Sequence, residues 1–203
     1  MSAEKPRERP ILFNDQMVRA ILDGRKTVTR RVMKPQPDFL GSMVDPNTPF
    51  KPLDAGLHAR ITCPYGEPGD RLWVRETWGL QVRSYGGGAG EFIVYRATNP
   101  DAIYCRSSEG REYPVKWKPS IHMRRHSSRI LLEITAVRVE RLQDISNDQA
   151  IAEGIDTHPM GFYGNGCITA GGAFLELWES INGDGRWADN PWVWVIEFKR
   201  VAP

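Results

Sequence analysis

Apolar residues along this chain repeat with two periods, and the changes of period mark out its elements. In NDQMVRAILDG, Met17, Ala20 and Ile21 recur at i, i+3 and i+4, which sets them on one face of a helix. Asn14 or Asp15 can cap that helix, and Gly24 stands where a left-handed residue follows a last turn. The period then falls to two. RLWVRETWGLQV (71–82) and EFIVYRAT (91–98) have the Trp, Val, Tyr and Thr content of strands. In SSRILLEITAVRVERL, Ile130, Leu132 and Ile134 alternate with Leu131 and Glu133, and Val137 and Val139 follow. NPWVWVIEFKRV alternates Trp192, Trp194, Ile196 and Phe198 with Val193, Val195, Glu197 and Lys199. Two helices lie between these last strands. SNDQAIAEG starts with a capping box, Ser146 and Gln149. AFLELWESI places Phe174, Leu177, Trp178 and Ile181 on one face.

Between these elements the periodicity fails. Residues 34–54 contain five prolines and are expected to form a long loop. GGGAG (86–90) is expected to be a flexible turn, residues 99–127 irregular, and MGFYGNGCITAGG a glycine-rich loop. The order is helix, strands, two helices, strand. Helices and strands are not regularly interleaved, which excludes a parallel doubly wound sheet and predicts an α+β fold. The expected architecture is a small, mostly antiparallel β-barrel with flanking helices and long loop insertions. No repeat or linker divides the chain, so one domain is expected over 11–203, behind a disordered lead at 1–10.

Composition adds modest constraints. At 203 residues, 40% of them hydrophobic, the chain can bury one good core. No apolar run approaches the roughly 18–20 residues of a membrane helix, and MSAEKPRERP has no apolar signal core. Cys63, Cys105 and Cys167 are odd in number and far apart, which argues against a disulfide framework and for a cytoplasmic setting. The net charge of +2 conceals an asymmetry. Residues 1–35 hold nine Lys/Arg against four Asp/Glu, and 113–132 hold five Lys/Arg, two His and no carboxylate. The strip KWKPSIHMRRHSSR sets Trp117 among cations that include Arg124 and Arg125. That is the combination of stacking and phosphate pairing that holds single-stranded RNA; a solvated basic face is the alternative.

Familiar signatures are few. GxxxxGK[ST] does not occur, and GGGAGE follows no strand-to-helix pattern. His122 and His126 are spaced i, i+4, but Pro119 and RRHSS break a helix there and no third ligand lies nearby. No metal and no cofactor is expected. His58 and His158 stand alone in loops. Lys26 and Thr29, three apart, share a face only in a tight turn, whereas Thr29 and Arg31, two apart, share a strand face. A threonine hydroxyl needs a base within hydrogen-bond reach, and a lysine with a pKa lowered by burial can be one. By spacing alone, GRKTVTRR is a solvated basic turn. Glu76 lies between Trp73 and Trp78 and is expected to pair with Arg75 or Arg96, or to serve binding. Glu153 would be an ordinary exposed glutamate.

GRKTVTRR resembles the G-x-K-x-x-[TE]-x-R signature of the ASCH family through Gly24, Lys26, Thr29 and Arg31. GDRLWV, IAEGI and VWVIEFKRV follow in that family's order, so the resemblance spans roughly 11–33, 69–78, 128–155 and 174–201. It implies a PUA-like β-barrel fold. Threonine at the sixth position makes the chain similar to small bacterial enzymes that hydrolyse N4-acetylcytidine. The resemblance implies Thr29 as nucleophile, Lys26 as its activator and Glu153 as proton donor to the leaving nitrogen, with Arg31 orienting substrate. The chain departs from those enzymes through insertions near 34–68, 79–127 and 156–173, and in length it resembles phage and prophage ASCH proteins. Binding of RNA or a modified nucleobase without catalysis is the alternative, and ribonuclease activity a third.

Overall fold

A computed structural model of the chain describes residues 6–41, 48–53, 57–85 and 88–202. Five strands form one mixed sheet: β1 (Glu8–Leu12), β2 (Val28–Val32), β6 (Arg71–Arg75), β11 (Leu131–Arg141) and β12 (Trp192–Val201). Their order is β1–β6–β11–β12–β2. β1 runs parallel to β6, and every other neighbouring pair is antiparallel. The first and last strands of this order do not pair, so the described residues form an open sheet where a closed barrel was expected. A side chain spans the gap: Arg31 Nη2 donates to the Leu12 carbonyl at 2.8 Å.

The closing strand organises the interior because both of its faces are apolar. Trp194, Ile196 and Phe198 pack with Ile11, Phe13, Met17 and Leu72 in one cluster. Val193 and Val195 pack with Leu142, Ala150, Phe174 and Trp178 in the other. Helix α1 (Asp15–Leu22) covers the first cluster with Met17, Val18 and Ile21, while α2 (Asn147–Ala152) and α3 (Ala170–Asn182) cover the second. Each fully buried Val, Leu, Ile or Phe contributes roughly 1.5–3 kcal/mol, so the two-sided burial of β12 makes it the axis of the fold. Among the described residues no helix is long and apolar enough to cross a membrane.

Several expected boundaries move. Residues 8–10, placed in a disordered lead, begin β1; Arg7 N donates to Asp70 Oδ1 at 2.9 Å and the strand pairs with Arg71–Arg75. Residues 1–5 of that lead lie outside the described residues. The single strand expected over 71–82 breaks at Glu76 and Thr77, and the chain leaves the main sheet for a hairpin, β7 (Trp78–Tyr85) with β8 (Gly88–Tyr95). Residues 86–87 of the expected glycine turn lie outside the described residues. The proline-rich stretch supplies β3 (Phe39–Leu40) and β4 (Pro49–Pro52), which pair in a small antiparallel sheet with β5 (His58–Arg60). Phe39 stacks on Phe50 at 5.2 Å and meets His58 edge-on. Residues 99–127 contain a further pair, β9 (Ile103–Arg106) and β10 (Glu112–Pro114). Strands of two to four residues are too short to show a period, which is why the sequence pattern missed them.

Candidate functional site

The site begins where α1 stops. Asn14 caps the helix by accepting from Met17 N at 2.8 Å, and Gly24 adopts φ 75° past its end. The backbone N–H groups of Arg25 and Lys26 both return to the Ala20 carbonyl, at 2.9 and 3.0 Å. This tight return turns Lys26 inward, where it is only 2% exposed. Thr27 N then donates to the Ala152 carbonyl at 2.8 Å, Phe198 N donates to the Thr27 carbonyl at 2.9 Å, and β2 follows.

The opposite wall is the end of α2. Its capping box forms as expected: Ser146 Oγ accepts from Gln149 N, and Gln149 Oε1 accepts from Ser146 N. Glu153 is the C-cap and Gly154 follows at φ 94°. A Cβ at 154 would lie 2.9 Å from Ala20 Cβ and 3.1 Å from Lys26 Cβ. Glycine therefore serves twice here, accepting the left-handed backbone and letting the α2 end rest on the Lys26 turn.

Lys26 and Glu153, 127 residues apart in sequence, meet at 2.6 Å between Nζ and Oε2. Nζ also donates to the Val28 and Glu153 carbonyls, each at 2.8 Å, so all three donors of the ammonium are used. Burial pushes the Lys26 pKa down, opposed by the Glu153 carboxylate. Arg30 extends the network from β2, with Nη1 3.3 Å from Glu153 Oε1 and Nη2 donating to Glu140 Oε2 (3.0 Å) and Gln149 Oε1 (2.8 Å). The Lys26 turn, β2, β11 and α2 are thus tied by buried charge. The exposed glutamate and solvated turn expected from spacing are overturned: Glu153 is 3% exposed.

Thr29 and Arg31 share a face of β2, opposite Ile196 and Trp194 of β12. Thr29 is 1% exposed and, with Arg30, Arg31 and Glu153, lines a chamber of ≈ 60 Å³. Met17 from α1, Val32 from β2, and Phe174, Leu177, Trp178, Ile181 and Asn182 from α3 complete it. Two larger clefts adjoin. One, of ≈ 680 Å³, shares Arg31, Val32, Trp178 and Asn182 and adds Tyr65 and Arg186; the other, of ≈ 580 Å³, shares Met17, Arg31 and Ile181 and adds Tyr65, Arg75 and Arg96. Arg31 lines all three, with its guanidinium 5.2 Å from the Phe13 ring centre. The arrangement is a small, mostly apolar chamber, with Thr29, Arg30 and Glu153 in its wall, adjoining two clefts that carry several arginines.

The remaining expected residues lie apart from it. Glu76 is 1% exposed but pairs with neither Arg75 nor Arg96: Arg129 Nε and Nη2 donate to its two oxygens at 2.9 and 2.8 Å. Arg75 instead donates to the Met123 carbonyl and Arg96 bonds Asp15. Burial pushes the Glu76 pKa up, with Arg129 opposing. Trp117 is half-buried against Gly79, where a Cβ would come 3.3 Å from its Cε3. Arg124 is exposed, and Arg125 is held by Glu8 at 2.6 Å. His122 and His126 sit in separate 3-10 turns, Ser120–His122 and Arg125–Ser127, and share no helix face. Cys63, Cys105 and Cys167 are free.

Arg30, Gln149, Gly154 and Trp178 escaped the sequence reading as site residues. Arg30 was hidden by alternation, which favoured Thr29 with Arg31; Gln149 served as a cap and Trp178 as a helix face. Their common signal is proximity to Glu153, which spacing cannot carry. Compared with known proteins, the chain matches no family model, and no curated protein or solved structure matches its sequence or fold.

Proposed function

We propose that this chain is an ASCH-type protein with a PUA-like fold that removes an N4-acyl group from cytidine. The observation that carries this reading is the buried contact of Lys26 with Glu153 at 2.6 Å beside Thr29. An amide hydrolase of this kind needs a nucleophile, a base to take its proton and an acid for the leaving amine. As found, Lys26 is fully engaged as an ammonium and makes no hydrogen bond to Thr29. The productive form moves one proton across the short contact, leaving a neutral amine at Lys26 and a carboxylic acid at Glu153. Lowering of the Lys26 pKa by burial favours that transfer. Thr29 Oγ then attacks the acyl carbon and its proton passes to Lys26. The C–N4 bond breaks as Glu153 protonates N4, releasing cytidine and an acyl-threonine. Water hydrolyses that ester and returns the carboxylic acid. Arg31 and Tyr65, in the groove outside, would hold the nucleobase and sugar.

The test is incubation of the wild type, Lys26→Ala and Thr29→Ala with N4-acetylcytidine, following release of cytidine. Turnover by the wild type and loss in both variants is expected. Equal rates in all three, or no turnover by the wild type, would overturn the reading. A second reading, binding of single-stranded RNA or a modified base, is favoured by the exposed Lys116, Lys118 and Arg124, since neighbouring Ser120 reaches the groove. RNA oligomers bound without turnover of the nucleoside would support it.

A further inference from the structure

The small sheet β3–β4–β5 lies within the insertion near 34–68, and its two faces differ in kind. Side chains alternate across a strand, and the register sets Phe39 opposite Phe50 and Phe50 opposite Arg60. One rung therefore places Phe39, Phe50 and Arg60 on a single face. His58, two residues before Arg60, joins them there, its ring 4.8 Å from that of Phe39. The other face carries Leu40, Pro49 and Ile61; Pro49 is buried, and the other two pack into the main core. The sheet is anchored from behind, so core packing does not account for the rings in front. Phe39 is 42% exposed and the His58 side chain 33%. Phe39 and Phe50 lie nearly parallel, 16° apart in plane at 5.2 Å, and present the beginning of a stack.

The charge beside the rings is positive. Arg60 is exposed and, among the described residues, has no hydrogen-bond or ion-pair partner. It also lines a cleft of ≈ 590 Å³ between the insertion and the main sheet. Arg9 lines that cleft too: it shares a face of β1 with Ile11, which packs with Val139 and Trp194 of the cleft wall. Its Nη1 is fixed on the Pro64 carbonyl at 2.6 Å. Of the carboxylates nearby, Asp38 holds His58 at 3.3 Å and Asp70 accepts from the backbone of Arg7 and Glu67, which leaves the Glu67 side chain exposed. Exposed rings beside an unpaired guanidinium are how a single strand is held, its bases stacking and its phosphates pairing with cations. We propose that this aromatic face is a docking platform for single-stranded nucleic acid, with bases stacked on Phe39, Phe50 and His58 and a phosphate held by Arg60. The platform goes beyond both functional readings above: it needs no hydrolysis, and it shares no residue with the strip at Lys116, Lys118 and Arg124. A proline-rich peptide would also stack on such rings but would leave Arg60 without an anion, so charge favours the nucleic acid.

Fluorescence anisotropy of a labelled single-stranded RNA oligomer, titrated with the full chain, tests the platform; the RNA duplex and inorganic polyphosphate serve as competitors. Each titration is run in the wild type and with Lys118→Ala and Arg124→Ala together, which separates the outer strip. Saturable binding that survives the paired substitution, and competition by duplex weaker than by unlabelled single strand, are expected. Phe39→Leu keeps the apolar bulk without a π-face and should bind about fivefold or more weakly, the range for one lost base stack. Phe39→Trp should bind at least as tightly as the wild type. Arg60→Gln should weaken binding and make the log–log salt slope shallower by about 0.7, one single-strand phosphate. Unchanged affinity in Phe39→Leu, equal competition by duplex, or polyphosphate displacing the strand equally from wild type and Phe39→Leu would overturn the platform. So would loss of all binding with the strip removed, no binding by the wild type, or capture of a proline-rich peptide through Phe39 in place of RNA.

Discussion

A lysine with no exposed side chain and three acceptors around its nitrogen is committed to one position. Removing one member of such a buried pair leaves the other charge uncompensated, at about 3–5 kcal/mol. Lys26→Met and Glu153→Gln are each expected to lower stability, Lys26→Met by about that amount, as read from urea midpoints. Glu153→Gln should lose less, because its amide oxygen can still accept from Lys26 or Arg30. In the hydrolase assay Glu153→Gln should fall by about 10²–10⁴-fold, the range for a general acid, even where it folds. Glu76 behaves differently. Its folded pKa is raised above the ordinary 4.5, so its favourable contribution is present below pH 4.5 and is lost as pH climbs through the raised value. The stability of Glu76→Gln relative to wild type should therefore increase between pH 4.5 and 7. A flat or falling difference in urea midpoints across that range would show that the Arg129 pair outweighs burial.

At the level of elements, two helix ends make the site. The ends of α1 and α2 each carry a left-handed glycine, Gly24 and Gly154. Only the second is also crowded, between Ala20 and Lys26. Gly24→Ala should cost about 1–2 kcal/mol, the penalty of a left-handed alanine. Gly154→Ala should cost more than Gly24→Ala and displace Glu153, which thermal melts of the two variants compare directly. Helix positions and caps were legible beforehand because they depend on residues within one turn: Asn14, Ser146 with Gln149, and Gly24 all act as their spacing implied. The two-faced burial of β12 was equally visible in its alternation of Trp and Ile with Val. The short strands β3 to β5, β9 and β10 were not, since two to four residues carry no usable period.

Across the whole molecule, charge is divided between an interior network and an outer strip. Arg30, Lys26, Glu140 and Glu153 are joined inside, while Lys116, Lys118 and Arg124 face solvent. If the strip holds RNA, Arg124→Ala combined with Lys118→Ala should weaken RNA binding and flatten its salt dependence. The log–log slope should become shallower by about 0.7 for each single-strand phosphate that is no longer neutralised. Hydrolysis of the free nucleoside should stay within about twofold, because neither residue lines the chamber. Titration of a fluorescent RNA oligomer at several salt concentrations measures the first effect.

Periodicity, caps and turn glycines follow from forces acting over a few residues, and these set the three helices, the long strands and the α+β class. The motif GRKTVTRR was equally plain, yet spacing alone left it a solvated turn. Its standing changed because β2 lies at an open sheet edge, where α2 brings Glu153 across 127 residues to Lys26 and α3 brings Trp178 to the chamber that Thr29 lines. Burial and ion pairing are properties of neighbours in space. Which cations are buried and which glutamate meets them depend on how the two cores close around β12.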